Sequence, residues 1–495
     1  MNPPSPSDLF GDLFAAVQEA GLFADSKTFA DAIPRSAPEA ILRDWKADAP
    51  AGNAALAAFV AANFDLPQDE IDVPPDARPL RDHIVELWAA LTREPVTPPP
   101  GSSLLALPRR HVVPGGRFRE LYYWDSFFTM LGLVRSGRQD LVEDMIASFG
   151  SLFDRFGHIP NGTRSYYLSR SHPPVFYLMA ELSQDRSEAA RRERLRWMRI
   201  EHGFWMDGEE TLDRGGAHRR VVRLADGTLL NRYWDDRAAP RDESWREDVE
   251  LAQRAPERDA GELWRDIRAA AESGWDFSSR WLGDGRTLET IRTTRLLPID
   301  LNALLFGLEQ AIAGEAEALG DSETAAAFAR RADARREAIN RHLWNPDAGM
   351  FADYDLDLGR ARDQSTAAQG FALFTGLAPA ERAPAVADTM HGLLRAGGLL
   401  TTGDDTGQQW DAPNGWAPLH WVAIQGLRAY GQNALADSIA QRWLAMVANH
   451  YDATGHLLEK YDVEQCRAGG GGEYGTEIGF GWTNGVTLAL MQDLD

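Results

Sequence analysis

Apolar residues recur at spacings of three and four along most of the chain, the mark of helices that bury one face. Leu301, Leu304, Leu305, Leu308 and Ile312 fall on one such face. Leu141, Met145, Phe149 and Phe153 repeat the stripe, as do Leu435, Ile439, Trp443 and Met446. Each segment is bounded by Gly, Pro or Asn, residues that end helices or begin turns. Alternating strand patterns are sparse, and VVRLADGTLLNRYW, with Asp226 and Gly227 at its turn, predicts one short hairpin. These stripes are core. The expected class is therefore all-α, built from paired helices. Successive helical hairpins can run on as a solenoid or close into a toroid, and no short fixed repeat supports the solenoid.

Two Pro-rich stretches, DVPPD at 72 to 76 and EPVTPPPGSS at 94 to 103, favour extended connections over helix. Residues 1–103 are accordingly expected to form an N-terminal arm packed on the rest. No composition shift marks a boundary after residue 104, so 104–495 is expected to be one catalytic domain.

Composition narrows the function. The chain has 495 residues, 44% of them hydrophobic, enough for an ordinary globular core. Its formal net charge of −23 repels phosphate backbones and anionic lipid headgroups, so neither nucleic acid nor membrane is an expected partner. A solvated acidic surface explains that charge without any cationic partner. Cys466 stands alone, which excludes an intrachain disulfide and a thiolate zinc site. The opening MNPPSPSDLFGDLF has neither a basic leader nor a long apolar run, so a cytoplasmic monomer is expected, periplasmic if a signal peptide has been removed.

Aromatic residues become informative where they sit among charges, because a buried helical stripe needs no Arg or Asp beside it. The segment PGGRFRELYYWDSFF (114–128) sets Arg117, Trp124 and Asp125 on a loop running into a helix: a donor, a stacking platform and an acceptor for a polyol. A structural Arg and Asp pair at a helix start fits that segment equally well. HIPNGTRSYYLSRSH (158–172) adds Asn161, Arg170, Ser171 and His172, and RDESWREDVE (241–250) adds Arg241, Asp242 and Glu243. QQWDAPNGWAPLHW (408–421) concentrates Trp410, Asp411, Trp416 and Trp421 around two prolines, a sugar-facing loop rather than a stripe. In ESGWDFSSRW (272–281) Asp276 follows Gly274 and Trp275, and a carboxyl against an aromatic wall keeps its proton longer, as a general acid must. EKYD (459–462) precedes four glycines at 469–472, Glu473 and GFGWTNGV (479–486), a glycine run suited to a lid over a ligand or to a plain surface loop.

PGGRFRELYYWD and QWDAPNGW resemble the two signature segments of the trehalases of glycoside hydrolase family 37, and ESGWDFSSRW, EKYD and GGGGEY-to-GFGWTNGV resemble that family in order and type. The likeness runs from Pro114 to Val486. It implies an (α/α)6 toroid and inverting cleavage of α,α-trehalose into two glucoses, with Asp276 as general acid and Glu459 as general base. It also implies sugar contacts for Arg117, Trp124, Asp125, Asn161, Arg170, Ser171, His172, Arg241, Asp242, Glu243, Gly274, Trp410, Asp411 and Glu473. Two departures touch this set: His172 stands where the family often has Gln, and Asp242 where it often has Pro. They leave open a glucosidase acting on another small α-glucoside. A non-catalytic trehalose sensor would have lost one carboxylate, and both are present.

No metal or cofactor is expected. DYDLDLG (353–359) alternates aspartates, but its glycine comes one place late and Gln364 replaces the closing glutamate of a calcium loop. HExxH, a Walker lysine and a strand-following GxGxxG are all missing from the sequence.

Overall fold

A computed structural model of the chain describes residues 2–67 and 75–494; residues 72 to 74 of the first Pro-rich stretch lie outside the described residues. Five helices open the chain: α1 (Pro6–Phe10), α2 (Asp12–Glu19), α3 (Lys27–Ala30), α4 (Pro38–Asp48) and α5 (Asn53–Asn63). After them come α6 (Leu80–Leu91), α7 (Tyr123–Arg135), α8 (Gln139–Phe156), α9 (Phe176–Glu181), α10 (Glu188–Trp205), α11 (Trp245–Arg254) and α12 (Ala260–Ser273). The rest are α13 (Ile299–Ala318), α14 (Ser322–His342), α15 (Gly370–Phe374), α16 (Ala383–Gly392), α17 (Ala417–Ala429), α18 (Asn433–Thr454) and α19 (Gly481–Leu494).

Among the described residues, α7, α9, α13, α15, α17 and α19 touch one another in that order, and α19 returns to α7 to close the ring. A second layer lies outside it: α8 on α7, α10 on α9 and α13, α14 on α13, α16 on α15, α18 on α17 and α6 on α19. Burial separates the layers. In α13 every residue from Ile299 to Glu309 is buried, so the Leu301 to Ile312 stripe belongs to a helix enclosed on all sides at its N-terminal half. Its outer partner α14 buries little beyond Ala325, Ala332, Arg335, Ala338 and Ile339. The Leu141 stripe of α8 is of that one-sided kind, facing inward onto α7. Each large apolar side chain so enclosed contributes about 1.5–3 kcal/mol. The inner helices α7 and α19 cross on glycines: a Cβ on Gly132 would stand 2.6 Å from the Gly485 Cα, and one on Gly485 would collide with the Phe128 carbonyl.

Strands among the described residues are two or three residues long and pin loops rather than build a layer. The predicted hairpin is one of them, with 221–223 antiparallel to 229–231 in the register Val221 to Asn231 and Arg223 to Leu229. The Pro-rich 94–103 stretch forms no helix or strand. The N-terminal helices share an aromatic cluster, Phe10, Phe14, Phe29, Phe59 and Phe64, with Tyr122, Tyr166 and Tyr167 from the loops at one end of the ring.

Candidate active site

The loops at that end line a cavity with about 730 Å³ of empty space, its open mouth included. Each wall comes from a different part of the chain. Helix α7 begins at Tyr123, so its first turn delivers Trp124 and Asp125. Helix α12 ends on Gly274 in the left-handed conformation, φ +76°, where a Cβ would meet the Trp124 indole at 2.8 Å; Asp276 follows two residues later. The 158–172 loop supplies Asn161, Arg170 and His172, the turn before α11 supplies Arg241, Glu243 and Ser244, and the 408–416 loop supplies Trp410 and Trp416. Arg117, Glu459 and Glu473 complete the expected residues on the cavity wall.

Behind Asp276 lies a stack of indoles. Trp275 stacks on Trp410 with centroids 5.5 Å apart at 18°, and Trp410 stacks on Trp416 at 3.9 Å and 2°. Trp482 stands edge-on to Trp416 at 5.6 Å and to Trp124 at 6.2 Å, so Trp124, Trp410, Trp416 and Trp482 together give the cavity an aromatic wall.

Facing that wall, buried arginines are held by carboxylates. Arg170 donates to Glu243 at 2.6 Å and Arg241 to Asp248 at 2.6 Å and to Glu473 at 2.9 Å, with Ser244 Oγ donating to Glu473 at 3.2 Å. Arg117 lies over the Tyr474 ring, 4.8 Å from its centroid. The Nε atoms of Arg117 and Arg170 and Oε2 of Glu243 are buried with no partner among the described residues. Such groups cost free energy unless a ligand satisfies them, and a polyol presents both donors and acceptors.

Five carboxyl groups line this cavity: Asp125, Glu243, Asp276, Glu459 and Glu473. Burial, only partly opposed by Arg241 and reinforced by Glu473, pushes Asp276 up to about 7. Burial beside Glu459 and Asp276 pushes Asp125 up to about 8, overriding the preference of a helix N-terminus for a charged carboxylate. Glu473 is raised by burial against the pull of Arg241. Glu459 accepts the Tyr474 hydroxyl at 2.8 Å and lies 3.5 Å from Lys460 Nζ. Burial and Glu459 hold the Tyr474 phenol well above its ordinary value, so its proton stays on and donates. His172 is pushed well down by burial and Arg170, which keeps it neutral against Trp124.

Three of the expected residues do not line the cavity. The Asp242 carboxylate points away from the cavity into the N-terminal helices, accepting Ser7 N and Ser7 Oγ at 2.9 Å each, while its carbonyl accepts Gln18 Nε2 at 3.2 Å. Ser171 donates its Oγ to the Ile159 carbonyl at 2.7 Å. Asp411 is spent behind the wall, accepting Ser278 Oγ and Ser279 Oγ at 2.9 and 2.8 Å, Thr402 Oγ1 at 2.9 Å and the Thr406 hydroxyl. It fastens the turn after Asp276 instead of touching the cavity.

Other cavity residues carry no clear signal in the sequence: Lys27, Phe118, Tyr122, Tyr167, Tyr474 and Trp482. Tyr474 directly follows Glu473 and Trp482 stands in GFGWTNGV, and those placements are the signals that could have found them. Lys27 has none. It arrives from α3, where its ammonium pairs with Asp31 at 2.5 Å and Glu120 at 2.8 Å. Glu120 also accepts Tyr122 Oη at 2.5 Å, and Tyr122 shares a 2.8 Å hydroxyl contact with Tyr167, whose ring supports Arg170 at 5.0 Å.

Compared with known proteins, residues 21–495 match the family model described as Trehalase. The periplasmic trehalase of Escherichia coli O1:K1 is 51% identical over 495 residues, spanning 99% of this chain and 88% of that protein. The periplasmic trehalase of Pseudomonas aeruginosa is 52% identical over 492 residues, spanning 99% and 90%. Among solved structures, the neutral trehalase of Saccharomyces cerevisiae superposes with a TM-score of 0.67 at 22% identity, over 99% of this chain and 95% of that one. A family 63 mannosylglycerate hydrolase from Thermus thermophilus gives 0.54 at 18%, over 83% and 100%. At those identities the structural likeness shows the fold alone, and with the closed ring of six paired helices that fold is the (α/α)6 toroid.

Proposed function

This chain belongs to the trehalase family, and from that premise we propose that it hydrolyses α,α-trehalose with inversion, Asp276 acting as general acid and Glu459 as general base. The observation that carries the assignment is the contrast between the two carboxyl groups in one cavity. Asp276 keeps its proton to about neutral pH, whereas Glu459 is turned to accept from a phenol and lies beside an ammonium. Asp276 gives its proton to the bridging oxygen as the C1–O bond breaks. Glu459 takes a proton from water as that water's oxygen bonds to C1 on the opposite ring face. One α- and one β-glucose leave, and the two carboxyl groups exchange their protons back through solvent. Arg117, Arg170 and Arg241 donate to the hydroxyls, and Trp124 and the indole stack carry the ring faces.

Assaying glucose released from trehalose, maltose and kojibiose by the purified chain tests the substrate. Release from trehalose with little from the others supports the proposal, and release from maltose or kojibiose alone transfers the site to another α-glucoside, for which His172 would be the residue to examine. The relatives' names support a periplasmic location in place of the cytoplasmic one read from the first residues. No helix among the described residues is long and apolar enough to cross a membrane. We also read residues 1–103 as an N-terminal arm packed on a catalytic unit spanning 104–495, with its α6 entering the outer layer of the ring and its Lys27 reaching the cavity, one chain sufficing for the whole cavity.

Since the acid must be protonated to act, raising the pH through about 7 is expected to shut down kcat/KM as Asp276 ionises. A pH profile that stays flat to about 9 would remove Asp276 from that role.

The glycine run gives a second expectation. Gly471 has φ +79° and a Cβ there would stand 2.7 Å from the Gly407 carbonyl, whereas a Cβ on Gly470 meets nothing within 4 Å. Gly471→Ala should therefore displace the loop bearing Glu473 and lower turnover, with Gly470→Ala close to wild type. Equal turnover in the two variants, with only the melting temperature lowered in Gly471→Ala, would leave the run a structural loop and not a lid.

A further inference from the structure

Next to the base in sequence stands a further charged side chain, Lys460, wholly buried. Its Nζ donates to Gln409 Oε1 at 2.7 Å and stands 3.5 Å from Glu459 Oε2. Gln409 Nε2 in turn donates to the main-chain oxygen of Asp276 at 2.6 Å. An ammonium only donates, so it forces the Gln409 amide to present its oxygen to Lys460 and its NH2 to Asp276. The same Nζ lies 4.8 Å from the ring centroid of Tyr474, the phenol bonded to Glu459, and 5.4 Å from that of Trp416 in the indole stack. Burying an ammonium is costly, and a Lys that merely filled space here would be better replaced by an apolar side chain. Every partner of this one leads to the acid or to the base.

We propose that Lys460 is a positioning residue for the hydrolysis: a single ammonium, acting directly on Glu459 and through Gln409 on the Asp276 backbone, fixes the base and the acid relative to one another. The proposal rests on the assignment of those two carboxyl groups as base and acid. The catalytic pair of an inverting enzyme must hold a water and an anomeric carbon between them, so its separation is part of the mechanism. The acid and the base lie 183 positions apart in sequence, and this buried two-link bridge adds side-chain bonds to the Trp410 N–H bond with the Phe277 carbonyl and to the pairing of 414–415 with 461–462, which tie the same segments through the backbone. Misplacement by about 1 Å costs about 10²-fold in such sites.

The test compares Lys460→Met, Lys460→Arg, Gln409→Leu and Glu459→Ala in one trehalose assay, with folding checked by circular dichroism. Lys460→Met is expected to lower kcat by about 10- to 100-fold with little change in KM. Lys460→Arg, which keeps the charge, should recover part of that loss. Gln409→Leu, which leaves Lys460 beside Glu459 but removes both the bond to Lys460 and the link to Asp276, should also lower kcat with little change in KM. A folded Lys460→Met with wild-type kcat overturns the proposal, as does Gln409→Leu with wild-type kcat should Lys460→Met not fold. Glu459→Ala separates the levels: full activity in that variant sinks the acid and base assignment itself, whereas its inactivity beside an unaffected Lys460→Met sinks only the role of Lys460.

Discussion

Asp276→Ala and Glu459→Ala are each expected to lose about 10²- to 10⁴-fold of trehalose turnover while remaining folded, the range in which general acids and bases contribute. Loss of Asp276 should be the gentler on the fold. Desolvation raises its carboxyl to about 7, and truncation removes a half-buried polar group that packing does not favour. Glu459→Ala strands the Tyr474 hydroxyl and the Lys460 ammonium, so Glu459→Gln is the better probe of chemistry alone. Circular dichroism and kcat on both variants check this, and proton NMR of fresh product checks the geometry behind it. One α and one β anomer indicate a single displacement, with the carboxyl groups about 6.5 to 9.5 Å apart. Two α anomers, or azide rescue of Glu459→Ala with retained configuration, would make Glu459 a nucleophile.

The largest expected loss of stability lies one turn behind the acid. Arg280 is fully buried between the faces of Trp275 and Trp281, 4.6 and 4.4 Å from their centroids, and its guanidinium forks onto two carboxylates. Nε and Nη2 donate to Asp353 at 2.7 and 2.8 Å, and Nη1 and Nη2 to Asp300 at 2.9 and 2.8 Å. Arg280→Met leaves two buried carboxylates with no counter-charge and should cost about 3–5 kcal/mol. Lysine cannot reproduce the fork. Adding Asp300→Asn and Asp353→Asn to Arg280→Met should recover part of the loss, because the penalty belongs to the stranded charges. Urea unfolding of the single and triple variants measures both, and a single variant within about 1 kcal/mol of wild type would mean the trio is effectively solvated.

These supports explain which parts of the molecule can be read in advance. The helices can, because a stripe such as Leu301 to Ile312 is a local statement, and the signature segments can because they carry their aromatics and charges together. Ring closure cannot: α19 meets α7 through Gly132 and Gly485, a contact no local pattern announces. Residues adjacent to true wall residues are over-assigned for a geometric reason. Arg241 and Glu243 face the cavity from a tight turn, so Asp242 between them must face away, and the N-terminal helices supply the Ser7 donors it meets. Asp411 beside Trp410 is the same case. Lys27 and Glu120 escape notice for the opposite reason, since their pairing joins segments 93 residues apart and neither stands out in its own neighbourhood.

The indole stack gives the protein an optical signature. Trp410 and Trp416 lie face to face at 3.9 Å and 2°, close enough for their transition dipoles to couple, and Trp275 joins them only because the acid's loop docks on the 408–416 loop. Near-ultraviolet circular dichroism, which reports fixed aromatic packing, is therefore expected to carry a contribution from Trp275 that lasts only while the loop of Asp276 is seated. Since Trp124 sits 5.9 Å from Trp410 on the cavity wall, sugar entering the cavity perturbs the same chromophores. Docking of the catalytic loop and occupancy of the site can thus be followed in the native chain, without a label and in variants too inactive to assay.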